Sequence, residues 1–205
     1  MDNWKRLQDF EDAVYHRDFI TRGSHFGHFS VPEFASTGML GDIIAGRCVG
    51  LRCLDIGCGI LPRPNYMKDG PAFFGIDPFY GEYKRQFPFA QAVGEHLPFL
   101  SQSFPSAIVM SALDHAVDPL TMLREVHRVL IPRGILFAWV ELRPSARIAA
   151  WKASGGTFDD YHQWAFSRSI MNELLVSAGF KLRSMRQIPG GVKYPATQLF
   201  EAVRG

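Results

Sequence analysis

The chain has no apolar run approaching the ~20 residues needed to span a bilayer. Its start, Met1-Asp-Asn-Trp-Lys-Arg-Leu-Gln-Asp9, has no apolar stretch either. Neither a membrane span nor a secretory leader is expected, which makes the cytosol the expected compartment. Cysteine is scarce. Cys48, Cys53 and Cys58 are odd in number and five apart, a spacing that fits no common zinc or disulfide pattern. They read as small buried residues, Cys58 within a turn, and no metal is expected. Net charge is low, at +2, which argues against a nucleic-acid partner. Repeats, low-complexity tracts and long linkers are absent. What remains has ordinary globular composition: 205 residues, 47% hydrophobic and 20% charged. That is enough for one domain with a sizeable core, as a monomer or homodimer.

Against that plain background one stretch stands out, Leu54-Asp-Ile-Gly-Cys-Gly-Ile-Leu-Pro62. It reads as a buried strand running into a glycine turn. A second apolar run, Ala72-Phe-Phe-Gly-Ile-Asp77, ends in an acid twenty residues after Gly57. A strand, a Gly-x-Gly turn and an acid closing the next strand form a nucleotide-ribose site in an open α/β sheet.

The rest of the chain alternates accordingly. Strands are expected at Leu51–Ile56, Ala72–Ile76, Phe89–Val93, Ser106–Ser111 and Ile135–Leu142, as runs suited to parallel strands buried on both faces. Asp118 is a natural N-cap with Pro119 at the first helical position, so a helix is expected over Pro119–Leu130, ended by Pro132. His127 falls off its apolar face and should be solvent-exposed. Ser167 and Gly179 bracket a second helix, Arg168–Ala178. Phe180–Ile188 and Ala196–Val203, joined through Pro189-Gly-Gly191, should pair antiparallel. Upstream, helices are expected at residues 3–20 and Pro32–Ala45. Residues 1–45 thus read as a helical lid or cap, and residues 46–205 as a Rossmann-like core.

Two cofactor classes use the strand–turn–acid arrangement. A dinucleotide wants Gly-x-Gly-x-x-Gly, with pyrophosphate on the helix N-terminus. Here the third glycine is Pro62, and Pro62 and Pro64 remove two N–H groups from the turn. An uncharged ribose joined to a sulfonium amino acid instead needs close backbone approach, at Gly57 and Gly59. It also needs carboxylates for the hydroxyls and the ammonium, which Asp55 and Asp77 supply.

On these residues the chain resembles the class I, seven-stranded S-adenosylmethionine (SAM)-dependent methyltransferases. Leu54–Gly59 looks like their first motif and Gly75-Ile-Asp77 their second. Gly94-Glu-His-Leu-Pro-Phe99, Ser106–His115, Leu123–Gly134 and Ser169–Phe180 resemble later family segments. The likeness covers roughly residues 35–205. It implies an α/β fold, a mostly parallel seven-stranded sheet with helices on both faces and a C-terminal antiparallel hairpin. It further implies SAM as cofactor and S-adenosylhomocysteine (SAH) as product; it does not specify the methyl acceptor, which is expected to be a small molecule. By resemblance, Asp55, Gly57, Cys58 and Gly59 line the methionine end. Asp77 binds the ribose diol beside Pro78, Gly94, Glu95 and His96 border the adenine, and Ser111 and Leu113 lie under the sulfonium.

Departures from the pattern are visible. The family often has an acid for the adenine amine where this chain has Val93. Only fifteen residues separate Ile56 from Ala72 and roughly eleven separate strands two and three, so the helices after strands one and two should be short. Candidate acid–base residues are His115, after strand four, and His162, in Asp159-Asp-Tyr-His-Gln-Trp164. Glu141, Arg143, Tyr15 and His16 are candidates for contacting the acceptor. From Arg143 to Lys193 there are eight Lys/Arg against three Asp/Glu, which suits an anionic acceptor. Tyr80-Gly-Glu-Tyr-Lys84 lies too early for a short-chain dehydrogenase. Strand four lacks the Asn/Asp-Pro-Pro-Tyr ending of enzymes that methylate amides or base amines. Alternatives are a SAM-binding protein without turnover and a nicotinamide-dependent oxidoreductase.

Overall fold

The central strands of the core alternate their side chains between two apolar layers. In the computed structural model, β4 (Phe104–Met110) sends Ala107 and Val109 to one layer and Ile108 and Met110 to the other. β5 (Leu130–Val140) does the same with Leu136, Ala138 and Val140 against Phe137 and Trp139. This period-2 burial on both faces is why these segments carry continuous apolar runs. The structure describes residues 35–48, 50–64, 66–81, 84–159, 162–188 and 197–205, together with Lys5 and Asp9. The candidates Tyr15 and His16, and most of the expected helix over residues 3–20, lie outside the described residues.

One sheet of seven strands results, in the order β3-β2-β1-β4-β5-β7-β6. β1 (Arg52–Ile56), β2 (Ala72–Asp77), β3 (Phe89–Gln91), β4 and β5 are parallel. β6 (Phe180–Ile188) and β7 (Thr197–Arg204) pair antiparallel, and β7 docks antiparallel on β5. The expected mostly parallel sheet with a closing antiparallel pair is therefore present. Chain order reverses between β1 and β4, which opens a crevice at the carboxyl ends of those two strands, the usual ligand position in open α/β sheets.

Helix α1 (Ala35–Arg47) covers one face through Leu40 and Ile44. Helices α2 (Pro119–Val129) and α4 (Arg168–Ser177) cover the other. α2 starts as expected: Asp118 accepts a hydrogen bond from the Leu120 N–H at 3.0 Å and another from the Thr121 hydroxyl at 2.7 Å. Such a cap contributes about 1 kcal/mol. Ser167 caps α4 by accepting from the Ile170 N–H, and Gly179 closes it at φ +90°.

Several expectations need correction. Pro132 does not simply end α2. The helix already passes into β5 at Leu130, and Ile131–Gly134 form an irregularity in its pairing with β4, with Arg133 at φ +63°. His127 is half-buried rather than solvent-exposed, because its ring meets Phe180 edge-on at 5.4 Å and packs over Gly179. No short helix follows β1 or β2; the described residues there form only turns and bends. A helix that sequence reading did not anticipate, α3 (Ser145–Ser154), follows β5 and ends at Gly155 with φ +70°.

Candidate active site

The glycine turn is shaped by what stands opposite. Gly57 lies at φ +76°, and a Cβ there would overlap the Ala112 methyl just past β4. Gly59, at φ +69°, has only open space where its side chain would be. The first glycine thus lets β1 and β4 close on each other, and the second leaves the crevice clear. Both Gly57 and Cys58 donate their N–H to the Ile76 carbonyl, at 2.9 and 3.0 Å. The Cys58 thiol turns inward, where burial pushes its pKa up. All three cysteines are buried and unpaired.

Asp77, 6% exposed, organises the turn. One carboxylate oxygen accepts the Gly59 N–H at 2.8 Å and the other accepts the Phe79 N–H at 2.9 Å. The Pro78 carbonyl accepts from Gln91. The described residues between β2 and β3 form no helix, and Arg85 takes over the bracing. Its guanidinium donates to the carbonyls of Gly59 (2.8 Å), Phe79 (3.0 Å) and Tyr80, and lies over the Phe89 ring at 3.6 Å. Sequence reading missed Arg85, because nothing in a helix-free loop marks which cation will fold back.

Asp55 is fully buried on the face opposite Leu54 and Ile56. Tyr66 donates its hydroxyl to it at 3.0 Å, while the other carboxylate oxygen finds no hydrogen-bond partner among the described residues. Burial pushes the Asp55 carboxyl up to about 8 despite the tyrosine. Tyr66, also missed, comes from the turn region that replaces the first helix.

Gly94 is buried where a Cβ would press on Met122 at 2.5 Å and Ile56 at 3.1 Å. The neighbouring Glu95 carboxylate accepts the N–H groups of Val117 and Asp118 at 2.7 and 3.1 Å, tying this turn to the start of α2. His96 is exposed. Ser111 leaves β4 at φ +50°, held by its N–H on the Trp139 carbonyl at 2.9 Å. Leu113 is fully buried in the short 3-10 turn Leu113–His115 that follows.

That turn meets the loop before α4. The Asp114 carbonyl accepts from the N–H groups of Gln163 and Trp164 at 2.9 and 3.0 Å, and the Trp164 indole donates to the Ala116 carbonyl at 2.8 Å. His115 and His162, far apart in sequence, thereby come together with ring centroids 5.1 Å apart. Between them lies the Asp114 carboxylate, 5% exposed, one oxygen 3.8 Å from His115 Nε2 and the other 3.8 Å from His162 Nε2. Asp159 accepts from the His162 backbone N–H and meets its Nδ1, each at 2.8 Å. Asp114 and Asp159 were not singled out from sequence, although an acid next to one histidine and three residues before the other was there to be read.

Glu141 and Arg143 pair with each other just past β5. Burial raises the Glu141 carboxyl, Arg143 and His162 pull it down, and Asp114 raises it again, so it shares the field of the histidine cluster. Arg143 and Arg147 both stand over Phe158, at 5.2 and 4.9 Å from the ring centre. Trp151 packs edge-on against Phe158 and Trp164. An aromatic and cationic wall thus adjoins the cluster.

Residues 54–138 match the methyltransferase domain family. A probable phthiotriol/phenolphthiotriol dimycocerosates methyltransferase of Mycobacterium ulcerans is 31% identical over 116 residues, covering 51% of this chain and 45% of the relative. The chain spans about half the length of the curated relatives it matches. Among solved structures, the Burkholderia thailandensis 1,6-didemethyltoxoflavin N1-methyltransferase, bound to 1,6-didemethyltoxoflavin and SAH, aligns with a TM-score of 0.70. It is 17% identical, and the match covers 97% of this chain and 86% of that one. The [4+2]-cyclase SpnF also aligns with a TM-score of 0.70, at 18% identity, over 98% and 96% of the two chains. No helix among the described residues is long and apolar enough to cross a membrane.

Proposed function

We propose that this chain is a class I SAM-dependent methyltransferase that transfers the methyl group of SAM to a small-molecule acceptor and releases SAH, a reading supported by the methyltransferase-domain match and the shared fold. The observation that carries this reading is the switch point between β1 and β4. There the glycine turn bonded to Asp77 follows β1, and the turn carrying Asp114 and His115, joined by His162, follows β4. In this reading Asp55, Gly57, Cys58 and Gly59 surround the methionine end of SAM. Asp77 and Pro78 hold the ribose, and Gly94, Glu95 and His96 border the adenine, the first two through backbone. Ser111 and Leu113 lie beneath the sulfonium.

Methyl transfer from a sulfonium is an in-line displacement with a good leaving group, so positioning supplies much of the rate. Proximity is worth about 7–11 kcal/mol in the best intramolecular cases. An acceptor hydroxyl or ammonium must also shed a proton, and His115 and His162 are the groups that face it. The acceptor is small, O- or N-nucleophilic and anionic or aromatic. Arg143, Arg147, Glu141 and the Phe158–Trp151–Trp164 wall supply complementary contacts. The three unpaired cysteines suit a reducing cytosol, and the mild net charge suits a partner other than nucleic acid.

Calorimetry with SAM and SAH, followed by SAH release against a panel of phenols, carboxylates and nitrogen heterocycles, tests this. Micromolar binding and SAH release with one acceptor class are expected. A second reading, a SAM-binding protein without methyl transfer, draws support from the [4+2]-cyclase that shares the fold. Tight SAM binding with no SAH released by any acceptor would select it. Tight NADH binding with none of SAM would overturn both.

A further inference from the structure

We propose that Asp114, His115 and His162 form a binding site for one divalent transition-metal cation, beside the position the reading above gives to the methyl acceptor. The donor set is one carboxylate and two imidazoles, which suits zinc, manganese, iron(II) or nickel better than magnesium or calcium. Their donor atoms lie within 4.8 Å of one another, and each histidine Nε2 is 3.8 Å from an Asp114 oxygen. Around an ion with bonds of about 2.1 Å, tetrahedral donors stand about 3.4 Å apart. Small side-chain rotations close that difference.

Three independent features support a ligand here. Asp114 Oδ1 is buried and finds no hydrogen-bond partner among the described residues. Such an oxygen is costly to leave bare, and a cation satisfies it. The Asp114–His distances are too long for hydrogen bonds and too short to hold a water between them in line, yet they suit an ion. Asp159, at 2.8 Å from His162 Nδ1, places a proton on that nitrogen and turns the Nε2 lone pair toward Asp114. That is the carboxylate–histidine–metal arrangement that orients ligating imidazoles. The backbone bonds from Gln163 and Trp164 to the Asp114 carbonyl lock the two halves in register. Glu141, nearby in the same field, adds negative charge, and its pairing with Arg143 limits the excess.

Three protein ligands leave coordination positions for an acceptor oxygen. A hydroxyl bound there loses its proton to solvent more readily. The resulting oxyanion then forms the new O–C bond while the C–S bond breaks and its electron pair stays on sulfur. With the cation bound, the histidines act on the acceptor through it, in place of taking the acceptor's proton directly.

The test uses the tag-free full chain after chelator treatment. Titration with zinc, manganese or cobalt chloride should show one equivalent bound, with visible absorption bands for cobalt(II). Asp114→Asn and His162→Ala should each weaken binding at least tenfold, while His127→Gln leaves it unchanged. Circular dichroism confirms folding, and SAH affinity is measured in parallel on each variant. No binding at millimolar metal, or one equivalent that survives both substitutions, would overturn the proposal. Because SAH binding is scored separately, a chain that binds SAH but no metal refutes the cation site alone. A chain that binds metal but no SAH refutes the methyltransferase reading alone.

Discussion

Gly57 and Ala112 touch across the switch point of the sheet so closely that neither tolerates a larger neighbour. Gly57 is also at φ +76°, a backbone conformation that costs other residues roughly 1–3 kcal/mol. Gly57→Ala should therefore lower the unfolding midpoint and abolish measurable SAH binding, because the overlap pushes the turn into the crevice. Thermal unfolding and calorimetry check both. An alanine variant with native SAH affinity would mean that the turn does not border the cofactor.

Asp77 and Arg85 act on the same turn from opposite sides, one accepting the Gly59 N–H and the other donating to the Gly59 carbonyl. Arg85→Met removes hydrogen bonds to three carbonyls, each worth about 1 kcal/mol. It should weaken SAH binding by about tenfold while the far-ultraviolet dichroism stays native. Asp77→Ala removes the acceptor of the Gly59 and Phe79 N–H groups and, in the proposed reading, the ribose partner, and should cost more. Equal SAH affinity in wild type and Asp77→Ala would remove Asp77 from the site.

Asp55 makes stability depend on pH. In the unfolded chain it ionises at its ordinary value of 3.8, whereas the folded chain keeps the proton until about 8. The native state binds more protons through that window, so stability falls as pH rises through it. Asp55→Asn removes this contribution. The gap between variant and wild type in denaturant midpoint should shift in favour of the variant from about pH 5 to pH 8. Parallel curves would mean that Asp55 is ionised in the fold at neutral pH.

Glu95 is expected to matter for stability. Glu95→Ala strips the Val117 and Asp118 N–H groups of their charged acceptor, at a cost of roughly 1.5–3 kcal/mol, whereas Glu95→Gln retains most of it. Urea unfolding of the two variants separates them.

The strands were legible because parallel strands buried on both faces must be written as apolar runs. The capped helices were legible because Asp118-Pro119 and Ser167…Gly179 carry their own local chemistry. His127 was misjudged because helical periodicity reports one helix's own faces, and what covers His127 is Phe180, some fifty residues on. The missing helices after β1 and β2 were anticipated only as short ones. Segment length limits a helix but does not say that Tyr66 and Arg85 will brace the loops instead.

The sequence by itself determined the sheet, the glycine turn and the acid at Asp77, since each rests on patterns spanning only a few residues. It also contained His115 and His162, but as two unrelated candidates. Only the tertiary structure decided that they share one carboxylate, because the contact between the turn after β4 and the loop before α4 joins residues 47 apart in the chain. Backbone bonds to the Asp114 carbonyl make that contact, and no local pattern encodes hydrogen bonds formed at such separation.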